Sequence, residues 1–205
     1  MSDSANFPEY LDITVRDFIA AVAEPKPAPA AGSVAAIAVS MAAALCVKSA
    51  LLSTRQLMEA NDYARAAREL LDRANELCQA DATAYAEVIL AQREERKQHS
   101  TNAADQVRAR LEHAARVSLD IANLGIKVGA IAAHLTEMGN TNLAGDGTTA
   151  ALLAESGVRS AITLALVNLV SAQSDPNAYP ITELLDLAAS YRARALESVA
   201  ARSQN

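Results

Sequence analysis

The chain has 205 residues, which suits one domain spanning residues 1–205, and 51% of them are hydrophobic, enough to bury a large core. Aromatic residues make up only 3% and tryptophan is absent, so that core must be built from Ala, Leu, Val and Ile. A formal net charge of −6 lacks the basic face that non-specific nucleic-acid binding needs, and no nucleic-acid partner is expected.

Met1 to Tyr10 is polar and acidic, unlike a secretory signal, which points to the cytoplasm. Val15, Phe18, Ile19 and Val22 recur at helical spacing, with Thr14 placed to cap a short first helix. Pro25 ends it, and Pro27 and Pro29 keep the following loop extended. A second helix starts at Gly32 or Ser33 and runs to about Ser53, apolar around most of its circumference. The uncharged stretch Pro27 to Val47 reads as a buried core helix rather than a membrane span, because its Ala, Ser and Val are only weakly hydrophobic. Cys46 and Cys78 have apolar neighbours and read as buried, reduced thiols, not as a disulfide framework.

A long third helix is predicted from about Glu59 to Arg96, interrupted by His99-Ser100-Thr101-Asn102. A fourth follows from Ala103 to Met138, with a bend expected near Ser118 or Gly125 and a stop at Gly139. A loop from Asn140 to Gly145 leads to a fifth, mostly apolar helix over Gly147 to Ala172. Asp175-Pro176-Asn177 is a turn, and a last amphipathic helix covers Ile181 to Ala201. No strand-like alternation and no fixed repeat is evident. The expected fold class is all-α, an antiparallel bundle of long helices. Helices two and five are too apolar for an ordinary surface. One suits the hidden centre, the other a subunit interface, so a homodimer is expected.

Asp81 is the sharpest single residue. Leu70, Ala74, Leu77, Asp81, Ala84 with Tyr85, and Val88 follow helical spacing, which sets a carboxylate on an apolar face. Such a group must be paired, protonated or facing a cavity. Asp146, followed by Thr148 and Thr149, is either a helix N-cap or a carboxylate aimed at a ligand. Asn140 and Asn142 suit ordinary turn chemistry or ligand hydrogen bonds equally. Ser33, after Gly32, either caps the second helix or shares in amides that hold an anion. Lys48 and Arg55, seven apart and on roughly one helical face, suit an anionic tail or a salt bridge. His99, His113 and His134 make no metal spacing, so no metal site is expected. Phosphate-binding loops, dinucleotide fingerprints and nucleophile elbows are absent from the sequence.

From about Asp12 to the last helix the chain resembles the cyclodeaminase/cyclohydrolase family. The family's Pro-Gly-Gly-Gly-Ser-Val-Ala-Ala type motif reads Pro29-Ala30-Ala31-Gly32-Ser33-Val34-Ala35-Ala36 here. Its Asp-x-x-Ala-Tyr/Phe pattern is Asp81-Ala82-Thr83-Ala84-Tyr85. Its Gly-Asn-x-Asn-x-x-Ser-Asp loop is Gly139-Asn140-Thr141-Asn142-Leu143-Ala144-Gly145-Asp146, and Ala150 to Glu155 stands unchanged. Of the glycine triplet only Gly32 is kept. The usual lysine-rich run after helix two is replaced by Leu51-Leu52-Ser53-Thr54-Arg55-Gln56.

The resemblance implies a helical homodimer with a folate-sized cleft near both loops, using no cofactor beyond the tetrahydrofolate substrate. Asp81 would move the proton. Asp146 would orient the pterin or the cationic carbon, and Asn140 and Asn142 would fix substrate geometry. Gly32, Ser33, Tyr85, Lys48 and Arg55 would complete the binding surface. Because the chain stands without a formiminotransferase domain, hydrolysis of 5,10-methenyltetrahydrofolate to 10-formyltetrahydrofolate is the expected reaction. Cyclodeamination of 5-formiminotetrahydrofolate is the alternative. The altered glycine loop and lost lysines favour two others, action on another cyclic amidine or imine and a non-catalytic helical dimer.

Overall fold

The computed structural model describes residues 8–98 and 100–202. Every regular element among them is helical. His99, placed by sequence in the break after the third helix and among the histidines, lies outside the described residues, as do the first seven residues of the N-terminal stretch. Thr14 accepts the amide of Asp17 and opens α1 (Val15–Val22). Five long helices follow: α2 (Ala31–Leu51), α3 (Ala60–Gln98), α4 (Thr101–Met138), α5 (Ala144–Ser171) and α6 (Ile181–Arg202).

Cross-helix contacts give their directions. Ser33, near the start of α2, meets Asp81, well along α3, so the two run antiparallel. Cys46 donates to the carbonyl of Val128, and the residue just past α4, Asn140, meets Ser53 just past α2, so α4 runs parallel to α2. Lys48 meets Asp146 while Gly157 lies against Ala35 and Val39, so α5 runs back down. Glu137 with Arg194, and Thr136 with Ser198, align α6 with α4.

The core is made of small side chains. Ala36, Val39, Ala42, Ala43, Cys46 and Ala50 of α2 are fully buried. Glycines bring the helices together where even alanine would collide. A Cβ on Gly157 would sit 2.6 Å from a methyl of Val39 and 3.2 Å from the carbonyl of Ala35. α2 is thus the central helix that its uniform apolarity predicts, packed by α3, α4 and α5. By length and composition alone, Ala31–Leu51 and Thr141–Ser171 are apolar enough to cross a membrane. In this fold the two helices pack on each other and on α4.

Several boundaries differ from the sequence reading, each for a local reason. α2 stops at Leu51 rather than Ser53, because Ser53 turns its hydroxyl back to the carbonyl of Ser49 and accepts the amide of Asn140. α4 begins at Thr101, where Ser100 caps it by accepting the amide of Ala103, and it continues as one helix to Met138. α5 begins at Ala144, three residues early, because a 3-10 turn over Thr141–Leu143 runs straight into it.

Candidate active site

The N-terminus of α2 is bare. Ala30 stands at the N-cap and offers no side-chain acceptor, and no acidic residue occupies the first turn. The opening amides of a helix need a partner. Asp81, delivered by the antiparallel α3, supplies it. Ser33 Oγ lies 3.2 Å from Asp81 Oδ2 and 3.3 Å from the carbonyl of Cys78, so its single hydrogen serves one or the other. The Ser33 backbone amide also donates to the Asp81 carboxylate. Ser33 therefore does not cap its own helix. It sits in the first turn and holds a carboxylate from the next helix.

Gly32 makes this approach feasible. A Cβ added there would fall inside the Asp81 carboxyl group. Of the family's glycine triplet, this chain keeps the glycine that the carboxylate contacts.

Burial pushes the Asp81 carboxyl up from its ordinary 3.8 to about 6, and the hydrogen bonds from Ser33 hold it from rising further. Tyr10, folded over this end and 4% exposed, is itself pushed to about 12, mostly by burial and then by Cys78 and Asp81. The Cys78 thiol rises to about 12 by burial with help from Asp81. Asp81 is thus the group of this cluster that titrates near neutrality. Cys46 and Cys78 are free and buried.

The second cluster lies at the other end of α2. Lys48 Nζ is 2.7 Å from Asp146 Oδ2, with the carboxylate the more sheltered partner. Asp146 is within the first turn of α5, not at its N-cap, which is Leu143. Its position one turn from the helix start follows from the early beginning of α5. Asn140 is the keystone of the adjoining loop. Its amide nitrogen donates to the carbonyl of Leu52 at 3.1 Å, its oxygen accepts from the backbone of Asn142, and its own backbone donates to Ser53 Oγ. The side chain of Asn142 is exposed. Arg202 fastens the neighbouring end of α4 by donating to the carbonyls of Thr136 and Glu137.

Two predicted residues are placed differently from the sequence reading. Arg55 lies beyond the end of α2, exposed in the following turn, and shares no helical face with Lys48. Arg68 of α3 takes that position instead: with Lys48 it flanks an apolar groove of about 350 Å³ lined by Val47, Leu51, Leu52 and Leu71. Tyr85, read as part of the buried stripe, is 38% exposed, since it turns off the face shared by Ala84 and Val88. Most consequentially, the two clusters are not one cleft within a chain. Ser33 and Lys48 are fifteen residues apart on α2, a rise of about 22 Å. A depression of about 540 Å³, lined by Gln92 and Arg96 of α3, Arg108 of α4 and Gln173 just beyond α5, contains none of the predicted site residues. Sequence reasoning missed Tyr10, Ser53 and Arg68. Nothing in their local patterns marks them, because each takes its place through contact with another part of the chain.

A helical bundle that seats a near-neutral carboxyl on an uncapped helix end defines a class with the means for proton transfer. The chain belongs to the formiminotransferase-cyclodeaminase family, whose profile matches residues 14–182. Formiminotetrahydrofolate cyclodeaminase from Thermotoga maritima, a solved structure, is similar to it with a TM-score of 0.80 and 22% identity, over 94% of this chain and 98% of that chain. At that identity the likeness is one of fold. No curated protein matches the sequence. The resemblance read from the three motifs thus holds for family and all-α fold, and the chain is of the cyclodeaminase/cyclohydrolase type of folate enzyme.

Proposed function

We propose that this protein converts 5-formiminotetrahydrofolate to 5,10-methenyltetrahydrofolate with release of ammonia. The observation that carries the reading is Asp81, a sheltered carboxyl held near pKa 6 at the start of α2. Ionised at neutral pH, it favours the cationic formamidinium of the substrate. N10 attacks the formimino carbon and forms a new C–N bond. Asp81 takes the proton that N10 sheds and returns it to the former imino nitrogen, which leaves as ammonia. The charge on the one-carbon unit is the same before and after, so one carboxylate serves as base and then as acid. The reaction uses no cofactor beyond its folate.

Hydrolysis of the methenyl compound, the reaction expected from the sequence, has less support, because the similar Thermotoga protein is named a formiminotetrahydrofolate cyclodeaminase. Asp146 holds Lys48 in place at the end of α2 opposite Asp81. Lys48 and Arg68 receive the anionic glutamate tail along the groove between α2 and α3. Asn140 acts by fixing the loop. The free, buried thiols support a reducing compartment, the cytoplasm.

Purified protein given each folate separately tests the assignment. Ammonia release from formiminotetrahydrofolate should show the higher kcat/KM. Faster loss of the methenyl near-ultraviolet band would make the protein a cyclohydrolase. Inactivity on both would move it to a non-folate amidine or to a non-catalytic role.

A further inference from the structure

We infer that residues 8–27 form a hinged cover over the Asp81 end of the bundle, latched by Tyr10, which opens to admit the substrate and closes to keep water from the reacting carbon. The effect on the reaction rests on the folate reading above; the cover itself does not.

The arm is held chiefly by one side chain. From Pro8 to Pro27, Tyr10 is the only buried residue; Ile13, Phe18 and Ala21 are half-buried and the rest are exposed. The Tyr10 amide donates to Gln79 Oε1 at 3.4 Å, and its ring meets Phe18 edge-on with 5.9 Å between centroids. Among the described residues, none from 11 to 27 forms a hydrogen bond or ion pair with the five long helices. Their polar contacts stay within the arm, as in Thr14 with Asp17 and Glu24 with Lys26. α1 adds little hold, since Val15 and Ile19 on its apolar face are 76% and 63% exposed. A segment with so few buried contacts opens locally at a small fraction of the cost of unfolding the bundle.

The connection has the form of a hinge. Residues 23–27 are exposed, whereas Ala28 and Pro29 are buried and fix the chain where α2 begins. Pro25 and Pro27 stiffen the strap, so the arm pivots as a body.

Tyr10 lands beside the catalytic carboxyl. Its partner Gln79 stands two residues before Asp81 on α3. Burial raises the Tyr10 hydroxyl most, and the charges of Cys78 and Asp81 add to it, which sets the ring next to both. Glu9 of the arm acts in turn on Cys78. Asp81 is thus half-buried between Ser33 of α2 and Tyr10 of the arm. α2 is fixed at the bundle centre, so the Tyr10 side is the one that gives way to a ligand.

Closure matters because the formimino carbon has two available nucleophiles, N10 and water. Water adding there would form a C–O bond and break the bond to the imino nitrogen. Both water protons would pass to that nitrogen, giving 5-formyltetrahydrofolate and ammonium without the methenyl chromophore. A closed arm leaves N10 as the nucleophile. Tyr10 is therefore a positioning residue that decides which product forms.

The two native thiols report the opening without any folate. Cys78 lies under the arm, and Cys46 is in the bundle core. Under native conditions iodoacetamide, read by peptide mass, should label Cys78 about tenfold faster than Cys46 or more. Tyr10→Ala should speed Cys78 labelling by a further tenfold or so while Cys46 stays protected. Tyr10→Phe, which keeps the ring, should stay near the wild-type rate. Equal labelling of the two cysteines in the wild type would overturn the cover. An equal rise at Cys46 in Tyr10→Ala, or no rise at Cys78, would make Tyr10 an ordinary core residue and overturn the latch. With formiminotetrahydrofolate, the wild type should release one ammonia per methenyl formed. Tyr10→Ala should release an excess, matched by 5-formyltetrahydrofolate, and Tyr10→Phe should restore the ratio. An unchanged ratio in Tyr10→Ala with faster Cys78 labelling would overturn the exclusion of water. A wild type inert to both folates, with Cys78 labelled as expected, would support the cover and remove the folate assignment.

Discussion

Replacing Asp81 by Asn separates a catalytic carboxyl from a structural one. The native carboxylate accepts from the amide and hydroxyl of Ser33. Asn can keep both contacts. Its oxygen accepts the Ser33 amide, its nitrogen donates to Ser33 Oγ, and that hydroxyl turns its hydrogen to the carbonyl of Cys78, already 3.3 Å away. What Asn removes is the ionisation. Holding a carboxyl near 6 rather than 3.8 makes its charged form costlier by about 3 kcal/mol in the folded state. The native state therefore binds more protons than the unfolded chain between these values, and wild-type stability falls as pH rises through about 6. Asp81→Asn should regain part of that cost, raising Tm by several degrees at pH 7.5 and by almost nothing at pH 4. Turnover should fall about 10²-fold or more, the scale of lost general acid–base catalysis. Calorimetry at the two pH values and steady-state ammonia release read both effects. Full turnover, or a Tm at pH 7.5 several degrees below wild type, would refute the reasoning. The latter would mean that Asp81 serves chiefly to cap α2.

In the wild type, kcat/KM should decline as pH falls through about 6, because the base form of Asp81 is lost; Ser33→Ala removes a bond to the charged form and should move this limb to higher pH. Gly32→Ala puts a methyl where the Asp81 carboxyl lies, so the carboxyl must swing away. Activity should drop at least tenfold with circular dichroism unchanged. Lys48→Met breaks a half-exposed ion pair and should change stability by less than about 1 kcal/mol while raising KM for a polyglutamylated folate more than for the monoglutamate. Gly157→Ala forces a methyl between Val39 and the carbonyl of Ala35 and should destabilise the bundle by about 1–3 kcal/mol in urea titration.

Much of this architecture is legible from periodicity alone. The apolar stripe through Ala74 and Leu77 marks the face on which Asp81 sits half-buried, and the featureless apolarity of α2 marks the bundle centre. Boundaries failed where a side chain from another element decides them. Nothing near Leu51 announces that Ser53 will be recruited by Asn140, and nothing in the glycine-flanked loop shows that its 3-10 turn will run into α5 and carry Asp146 past the cap. The two motif loops look like one site because sequence order has no measure of distance. Only the opposite ends of α2 reveal the gap. Arg68 escaped notice because a charge on the outer side of α3 looks like solvated surface until the groove beside Lys48 is seen.

The central claim is that this chain closes a formimino group onto N10 and expels its nitrogen. A single-turnover reaction with 5-formiminotetrahydrofolate labelled with ¹⁵N in the formimino group tests it most directly. Labelled ammonia and the methenyl chromophore should appear together, one of each per substrate consumed, with both bursts abolished in Asp81→Asn. Chromophore without labelled ammonia, neither product from the wild type, or an undiminished burst from the variant would contradict the account.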